Sequence, residues 1–290
     1  MTGPDAADLA RARAALVRLA LEEDVGEGDW TTQWTVPPGH ACEAVVVAKQ
    51  AMVVAGGPCV RDVFRAVDPA LSVELAVRDG SAVEAGRVLV RLSGSTRSVL
   101  VGERTALNFL GRLSGIATLA RRFVDAVAGT GARIVDTRKT TPGWRLLEKA
   151  AVRAGGATNH RMGLYDMLLV KDNHADASGG VVEAVRAARA HNERGLLLEV
   201  EVRDLAELQA VLPLGVDRVL LDNMTLEGLR EAVRLARAGG PGGPRLEASG
   251  NVSLDTVRAI AETGIDFVSV GALTHSAPVA DVSLKVVARP

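Results

Sequence analysis

From Ile134 to Ala272, short apolar runs alternate with longer stretches whose apolar residues recur at helical spacing. The runs are Ile134-Val135-Asp136, Met167 to Val170, Leu197 to Val200, Arg218 to Leu221, Arg245 to Ala248 and Phe267 to Val270. The helical stretches are Trp144 to Ala154, Val181 to Ala190, Leu205 to Val211, Leu226 to Ala236 and Leu254 to Glu262. Runs that are mostly apolar suit strands covered on both faces, and their alternation with helices predicts βα units in a parallel sheet. These strands, with a seventh left unplaced, are fewer than a full eight-stranded barrel needs. The expected fold is therefore α/β, an irregular incomplete α/β barrel over residues 116–275.

Upstream the period changes. Asp5 or Asp8 can cap a first helix carrying Leu9, Leu16 and Leu19, ended by Gly26-Glu27-Gly28-Asp29. Val45 to Ala48 predicts a strand and Pro58 to Val67 a helix. From Leu71, alternation through Val73, Leu75 and Val77, then Val88, Val90 and Leu92, with turns at Asp79-Gly80, Gly86 and Gly94, is similar to a small biotinyl-carrier-like β unit. The hairpin tip has no lysine for attachment, so a scaffold sheet is expected. Thr96 to Arg112 predicts a connecting helix, interrupted at Gly115 and resumed over Ala117 to Val127. An N-terminal α+β domain over 1–115 follows, with Ala280 to Ala288 returning to its sheet, so that 276–290 joins it. Gly239-Gly240-Pro241-Gly242-Gly243-Pro244 reads as a flexible loop.

Composition removes several functions. The 290 residues are 48% hydrophobic, ample for a large core. Lys and Arg total 34 against 35 Asp and Glu, a net charge of -1, so a nucleic-acid coat or membrane-surface role is not expected. Any basic patch must be local. Aromatic content of 3% argues against base stacking. Cys42 and Cys59 show no metal-binding spacing and are expected to be buried free thiols. No run approaches the ~20 apolar residues of a membrane span. A soluble, cytoplasmic protein is expected.

The chemistry gathers where the apolar runs end. Those endings are Thr137-Arg138-Lys139, Lys171-Asp172-Asn173, Glu201, Asp222-Asn223, Ser249-Gly250-Asn251 and Gly271-Ala272. In parallel α/β folds the carboxyl ends of the strands face one crevice. Arg138 offers a bidentate fork for phosphate or carboxylate, and Lys139 and Lys171 offer point charges. The small-residue turns at 249–251 and 271–272 lead into helices and can hold a phosphate at a helix N-terminus. Glu201 and Asp222 would repel an anion, so they require hydroxyls or a cation, as a magnesium-bearing sugar phosphate provides. His160-Arg161 follows Gly155-Gly156-Ala157-Thr158-Asn159, a loop expected to fold over a ligand. His160 reads equally well as a packed or capping histidine. The pattern describes an enzyme pocket for a highly anionic substrate.

Nine segments then occur in order: Glu103 to Asn108, Ser114 to Thr118, Asp136 to Thr140, Asn159-His160-Arg161, Lys171 to His174, Glu199 to Val202, Leu221-Asp222-Asn223, Ala248 to Asn251 and Val270 to His275. Together they resemble the quinolinate phosphoribosyltransferase family over essentially the whole chain. One departure is Asn251, where many members carry a second glycine after Ser-Gly. The resemblance implies an N-terminal open sandwich, an irregular barrel, and a homodimer, or a larger assembly of dimers, with shared active sites. It assigns Arg104, Arg138, His160, Arg161 and Lys171 to the quinolinate carboxylates, with Lys139 nearby and Thr137 in the binding set. Glu201 and Asp222 fall on the ribose and Mg²⁺ side of phosphoribosyl pyrophosphate, the metal being carried by that substrate. Ser249, Gly250, Asn251, Gly271 and Ala272 would hold its 5-phosphate, with His275 close by. Lys139, Lys171, Glu201 and Asp222 are the expected catalytic set, and Arg104 is expected to enter the neighbouring subunit's site.

Overall fold

The structure, a computed structural model, describes residues 5–240 and 242–288; Pro241, in the loop expected to be flexible, lies outside the described residues. The chain forms two compact units, one of Arg122–Arg138 and Ala157–Gly271, the other of residues 5–121, Lys139–Gly156 and 272–288. Its strands, in chain order, are β1 (Ala41–Ala48), β2 (Met52–Val53), β3 (Ser72–Leu75), β4 (Ala82–Val83), β5 (Val88–Ser95), β6 (Arg133–Val135), β7 (Leu168–Val170), β8 (Leu198–Val202), β9 (Arg218–Asp222), β10 (Arg245–Ser249), β11 (Phe267–Ser269) and β12 (Val282–Ala288).

In the unit containing the N-terminal region, an antiparallel sheet has the order β12-β1-β5-β3. The last strand thus pairs with the first, Val46 opposite Leu284, as the terminal apolar alternation suggests. Helix Gly57–Val67 buries Cys59, Val60, Val63 and Phe64. Both cysteines are free and buried, and burial pushes the Cys59 thiol up to about 12, which leaves it inert. The first helix, Ala6–Val25, is capped by Asp5, whose carboxylate accepts from the Ala7 amide. A short helix, Trp30–Thr35, capped by Asp29, had no clear periodic signal.

The expected interruption at Gly115 does not occur: Thr96–Ala126 is one helix. A Cβ at Gly115 would lie 1.9 Å from the Pro278 carbonyl oxygen, and one at Gly111 2.9 Å from that of Ala280. The glycines therefore form a groove for the returning chain, sealed by the Ala280 amide donating to the Gly111 carbonyl at 3.0 Å. Packing outweighs the helix cost of each glycine, about 1 kcal/mol.

The other unit holds the parallel sheet, ordered β6-β11-β10-β9-β8-β7. Among the described residues no ladder joins β6 to β7, so this is an incomplete α/β barrel. Beside β6 the chain makes one further parallel bridge, Val135 to Thr158, with the Thr158 amide on the Ile134 carbonyl at 2.9 Å and the Asp136 amide on the Thr158 carbonyl at 3.1 Å. This single rung stands where a seventh strand was sought. It also corrects the expectation of a flexible loop after Gly155. Gly155 is there for contact: a Cβ on it would lie 2.4 Å from the Ala117 carbonyl oxygen. No helix among the described residues is long and apolar enough to cross a membrane.

Candidate active site

Side chains directly opposite one another in a parallel ladder point to the same face, and residues i and i+2 share it. Leu169 pairs with Glu199, Glu199 with Arg218, Glu201 with Leu220, Leu220 with Glu247, and Asp222 with Ser249. One face therefore carries all of these polar residues, and burial and side-chain contacts, rather than rung position (Glu247 lies on the rung of Glu201), divide them into two tiers. Glu199, Arg218 and Glu247 form the lower tier. Lys171, Glu201, Asp222 and Ser249 form the upper tier, at the carboxyl ends. β8 continues through Glu201, so this carboxylate projects from within the strand rather than from a loop after it.

The lower tier is closed. Glu199 and Glu247 are fully buried and Arg218 is 7% exposed. Arg218 donates to Glu247 Oε2 at 2.8 Å, and its guanidinium lies 4.1 Å from the centre of the Phe267 ring. His160 Nε2 is 2.8 Å from Glu199 Oε2 and 3.7 Å from Glu247 Oε1. Two carboxylates share a dry space with one guanidinium, and burial pushes Glu199 and Glu247 each up to about 7. His160, Glu199 and Glu247 bring ligand atoms within 4.8 Å of one another, as a metal site would, but the Arg218 charge already occupies Glu247. The sequence did carry a signal for this tier. Glu199, Arg218 and Glu247 are charges inside otherwise apolar strand runs.

The upper tier is open. Lys171 Nζ pairs with Glu201 Oε2 at 3.0 Å, and the Lys171 amide donates to His174 Nδ1 at 2.9 Å at the start of a helix, Asp172–Ala177, absent from the periodic reading. Asp222 accepts from Asn223 Nδ2 at 2.9 Å. Asn223 and Asn251 have φ of 53° and 47°, and Gly250 has φ of 104°. This left-handed region is open to glycine and tolerated by asparagine, so Asn251 fits the turn. A Cβ on Gly250 would lie 2.1 Å from Asn223 Oδ1, so only glycine fits. The next helix is Val257–Ala261, so Ser249 ends its strand and Gly250-Asn251 form a left-handed turn, not the expected helix N-terminus. Successive amides in such a turn form a concavity suited to an anion.

Asp136 fixes the approach to His160 and Arg161. It accepts from the His160 amide at 2.8 Å and from Asn159 Nδ2 at 2.6 Å. Arg161 is 7% exposed, and its Nη1 donates to the Met167 carbonyl at 3.2 Å. Burial lowers its pKa first, and the positive charge of Arg138 lowers it further. Two guanidiniums held near each other at a partly dry site describe a place for an anion with more than one negative charge. Thr137, Arg138, His160, Arg161, Lys171, Glu201, Asp222, Ser249, Gly250, Asn251 and Gly271 thus share one unit. Arg104, Lys139, Ala272 and His275 belong to the other. There Thr274 Oγ1 donates to the Lys139 carbonyl at 2.8 Å, and Glu148 binds both Arg112 and Thr141. Arg104, on helix Thr96–Ala126, is exposed and makes no ion pair among the described residues.

Fold and site define a class: an incomplete α/β barrel with charged side chains gathered at its strand ends. Residues 116–285 match the model of the quinolinate phosphoribosyl transferase C-terminal domain, and residues 29–114 that of its N-terminal domain. The chain is 44% identical over 267 residues to a probable nicotinate-nucleotide pyrophosphorylase (carboxylating) of Synechocystis sp., covering 92% of this chain and 90% of that protein. It is 43% identical over 291 residues to the chloroplastic nicotinate-nucleotide pyrophosphorylase (carboxylating) of Arabidopsis thaliana, covering 94% and 82%. The nicotinate-nucleotide pyrophosphorylase structure from Francisella tularensis superposes with a TM-score of 0.90 at 37% identity, covering 96% of each chain. The chain belongs to the quinolinate phosphoribosyltransferase family.

Proposed function

We propose that this chain is a pentosyltransferase that moves phosphoribosyl from 5-phosphoribosyl 1-pyrophosphate to quinolinate. The products are nicotinate mononucleotide, pyrophosphate and CO₂, in de novo NAD biosynthesis in the cytoplasm. The observation that carries the reading is a cluster of cations, Arg138 acting on Arg161 and both Arg161 and Lys171 acting on Glu199, since several neighbouring cations suit a dicarboxylate. The 249–251 concavity suits the 5-phosphate, with Gly271 of the same unit.

Glu201 and Asp222 share one face on adjacent strands and offer only oxygen, a donor set that fits ribose hydroxyls and the Mg²⁺ brought by phosphoribosyl pyrophosphate. When pyrophosphate departs, C1 of the ribose takes on positive character, which these carboxylates favour. The quinolinate nitrogen, whose ring is held by its carboxylates on Arg138, Arg161 and Lys171, forms the new bond to C1. As the 2-carboxylate leaves as CO₂, its bonding electron pair stays at C2, stabilised by the adjacent positive pyridinium nitrogen, and a proton taken up there from solvent water completes nicotinate mononucleotide. The nitrogen attacks through its own lone pair, so no general base is required. Catalysis is positioning and preorganised charge. The assignments of Arg104, Lys139, Ala272 and His275 to the substrates rest on their motifs, as does the homodimer with shared sites.

The test is incubation with quinolinate, phosphoribosyl pyrophosphate and Mg²⁺. Nicotinate mononucleotide with one CO₂ per pyrophosphate is expected. Pyrophosphate without CO₂ would indicate a phosphoribosyltransferase for another acid, and no turnover would indicate a binding protein.

A further inference from the structure

Arg112 and Glu148 close a ring of hydrogen bonds within one unit of the chain. Arg112 lies in helix Thr96–Ala126, and Glu148, fully buried, lies in the first turn of helix Arg145–Ala154. The Glu148 carboxylate accepts from Arg112 Nη2 at 2.8 Å, from the Thr141 amide at 3.1 Å and from Thr141 Oγ1 at 2.9 Å. Arg112 also donates to the carbonyls of Thr274 and Ala277. The Thr274 hydroxyl donates in turn to the Lys139 carbonyl at 2.8 Å, and the chain from Lys139 to Thr141 completes the ring. One turn before Arg112, Phe109 stacks on Trp144 with ring centres 4.8 Å apart, which ties the Arg112 helix to the start of the Glu148 helix.

Stability alone is a poor reason for such a pair, because a buried carboxylate gives back on leaving water much of what the ion pair supplies. The effect of the ring is geometric. Its bonds end at Lys139, Thr141, Thr274 and Ala277, so they pin the two segments that carry Lys139 and His275. A guanidinium fork can serve several acceptors in fixed geometry, where an ammonium would act as a point charge. We propose that Arg112 and Glu148 are a positioning pair, which fixes the main chain carrying Lys139 and so sets where its ammonium stands during phosphoribosyl transfer. The inference rests on the reading above, in which Lys139 serves the substrates.

The test is a double-mutant cycle, with turnover read as CO₂ released from quinolinate carrying a radiolabelled 2-carboxylate, at saturating phosphoribosyl pyrophosphate and Mg²⁺. Glu148→Gln keeps the shape but turns an amide donor toward the Thr141 or Arg112 donors, and Thr274→Val removes the hydroxyl that reaches Lys139. Each is expected to lower kcat/KM for quinolinate about tenfold. On a Lys139→Ala background no ammonium is left to place, so the same substitutions are expected to cost less than about twofold more. Thermal unfolding reports whether each variant folds, and Thr274→Val decides the matter if Glu148→Gln does not. Near-wild-type kcat/KM in Thr274→Val, beside an impaired Lys139→Ala, would overturn the proposal and leave the functional reading intact. An undiminished loss on the Lys139→Ala background would do the same, since a purely structural pair gives additive losses. An unimpaired Lys139→Ala would remove the proposal together with the role of Lys139, and a wild-type protein that releases no CO₂ would remove the functional reading itself.

Discussion

Lys171 Nζ lies 3.0 Å from Glu201 Oε2, with the lysine side chain 47% exposed and the glutamate 10%. Such a rim pair is worth about 0–1 kcal/mol, so an arriving substrate can redistribute both charges at little cost. The contact joins the cationic half of the site to the acidic half. In the proposed reaction the cation serves quinolinate and the carboxylate the ribose.

Lys171→Ala and Arg138→Ala are each expected to lower kcat/KM about 100-fold or more, as loss of a preorganised charge partner does. Both side chains lie at or beyond the strand ends, so thermal unfolding should change little. Near-wild-type kcat/KM in both variants, measured with saturating phosphoribosyl pyrophosphate, would remove the quinolinate assignment.

Activity is expected to require Mg²⁺. Asp222→Asn keeps the shape and removes the charge, so it should weaken phosphoribosyl pyrophosphate and affect quinolinate less. Separate KM values for the two substrates decide this, and full activity in excess chelator would contradict it.

Arg104 is exposed and makes no ion pair among the described residues, although it lies within a long, well-packed helix. If it serves the partner's site, Arg104→Ala and Lys171→Ala should each be nearly inactive. Mixing them under subunit exchange should then restore one intact site per mixed dimer. Mixtures as inactive as either parent, with exchange confirmed by mass, would exclude the shared site.

Stability should fall as the pH rises. Burial raises Glu199 and Glu247 from 4.5 to about 7, so the native state holds more protons than the unfolded chain between those values. The stabilisation is complete below about pH 4.5 and is lost as the pH passes through about 7. Glu247→Gln removes one of the two titrations and should flatten the slope, while lowering stability overall because Arg218 loses its charge partner. Urea unfolding from pH 5 to 8 measures both effects, and an unaltered slope would rule out the burial argument.

Sequence alone determined the βα alternation, because strands covered on both faces leave mostly apolar runs between helical stretches. It also marked Arg138, Lys171, Glu201 and Asp222, because polar residues just past or near the end of such runs meet at one rim. What it could not determine depends on contacts far along the chain. Gly115 looks like a helix breaker until Pro278 packs against it. Gly155 looks like a hinge until Ala117 occupies the space of its missing side chain. His160 stood equally for ligand or packed residue, and its contact with Glu199 at 2.8 Å is visible only in three dimensions. The charges of Glu199, Arg218 and Glu247 were visible inside their strands. Their function was not, because period-two alternation places a residue on a face, while only strand order and register determine which charges meet there.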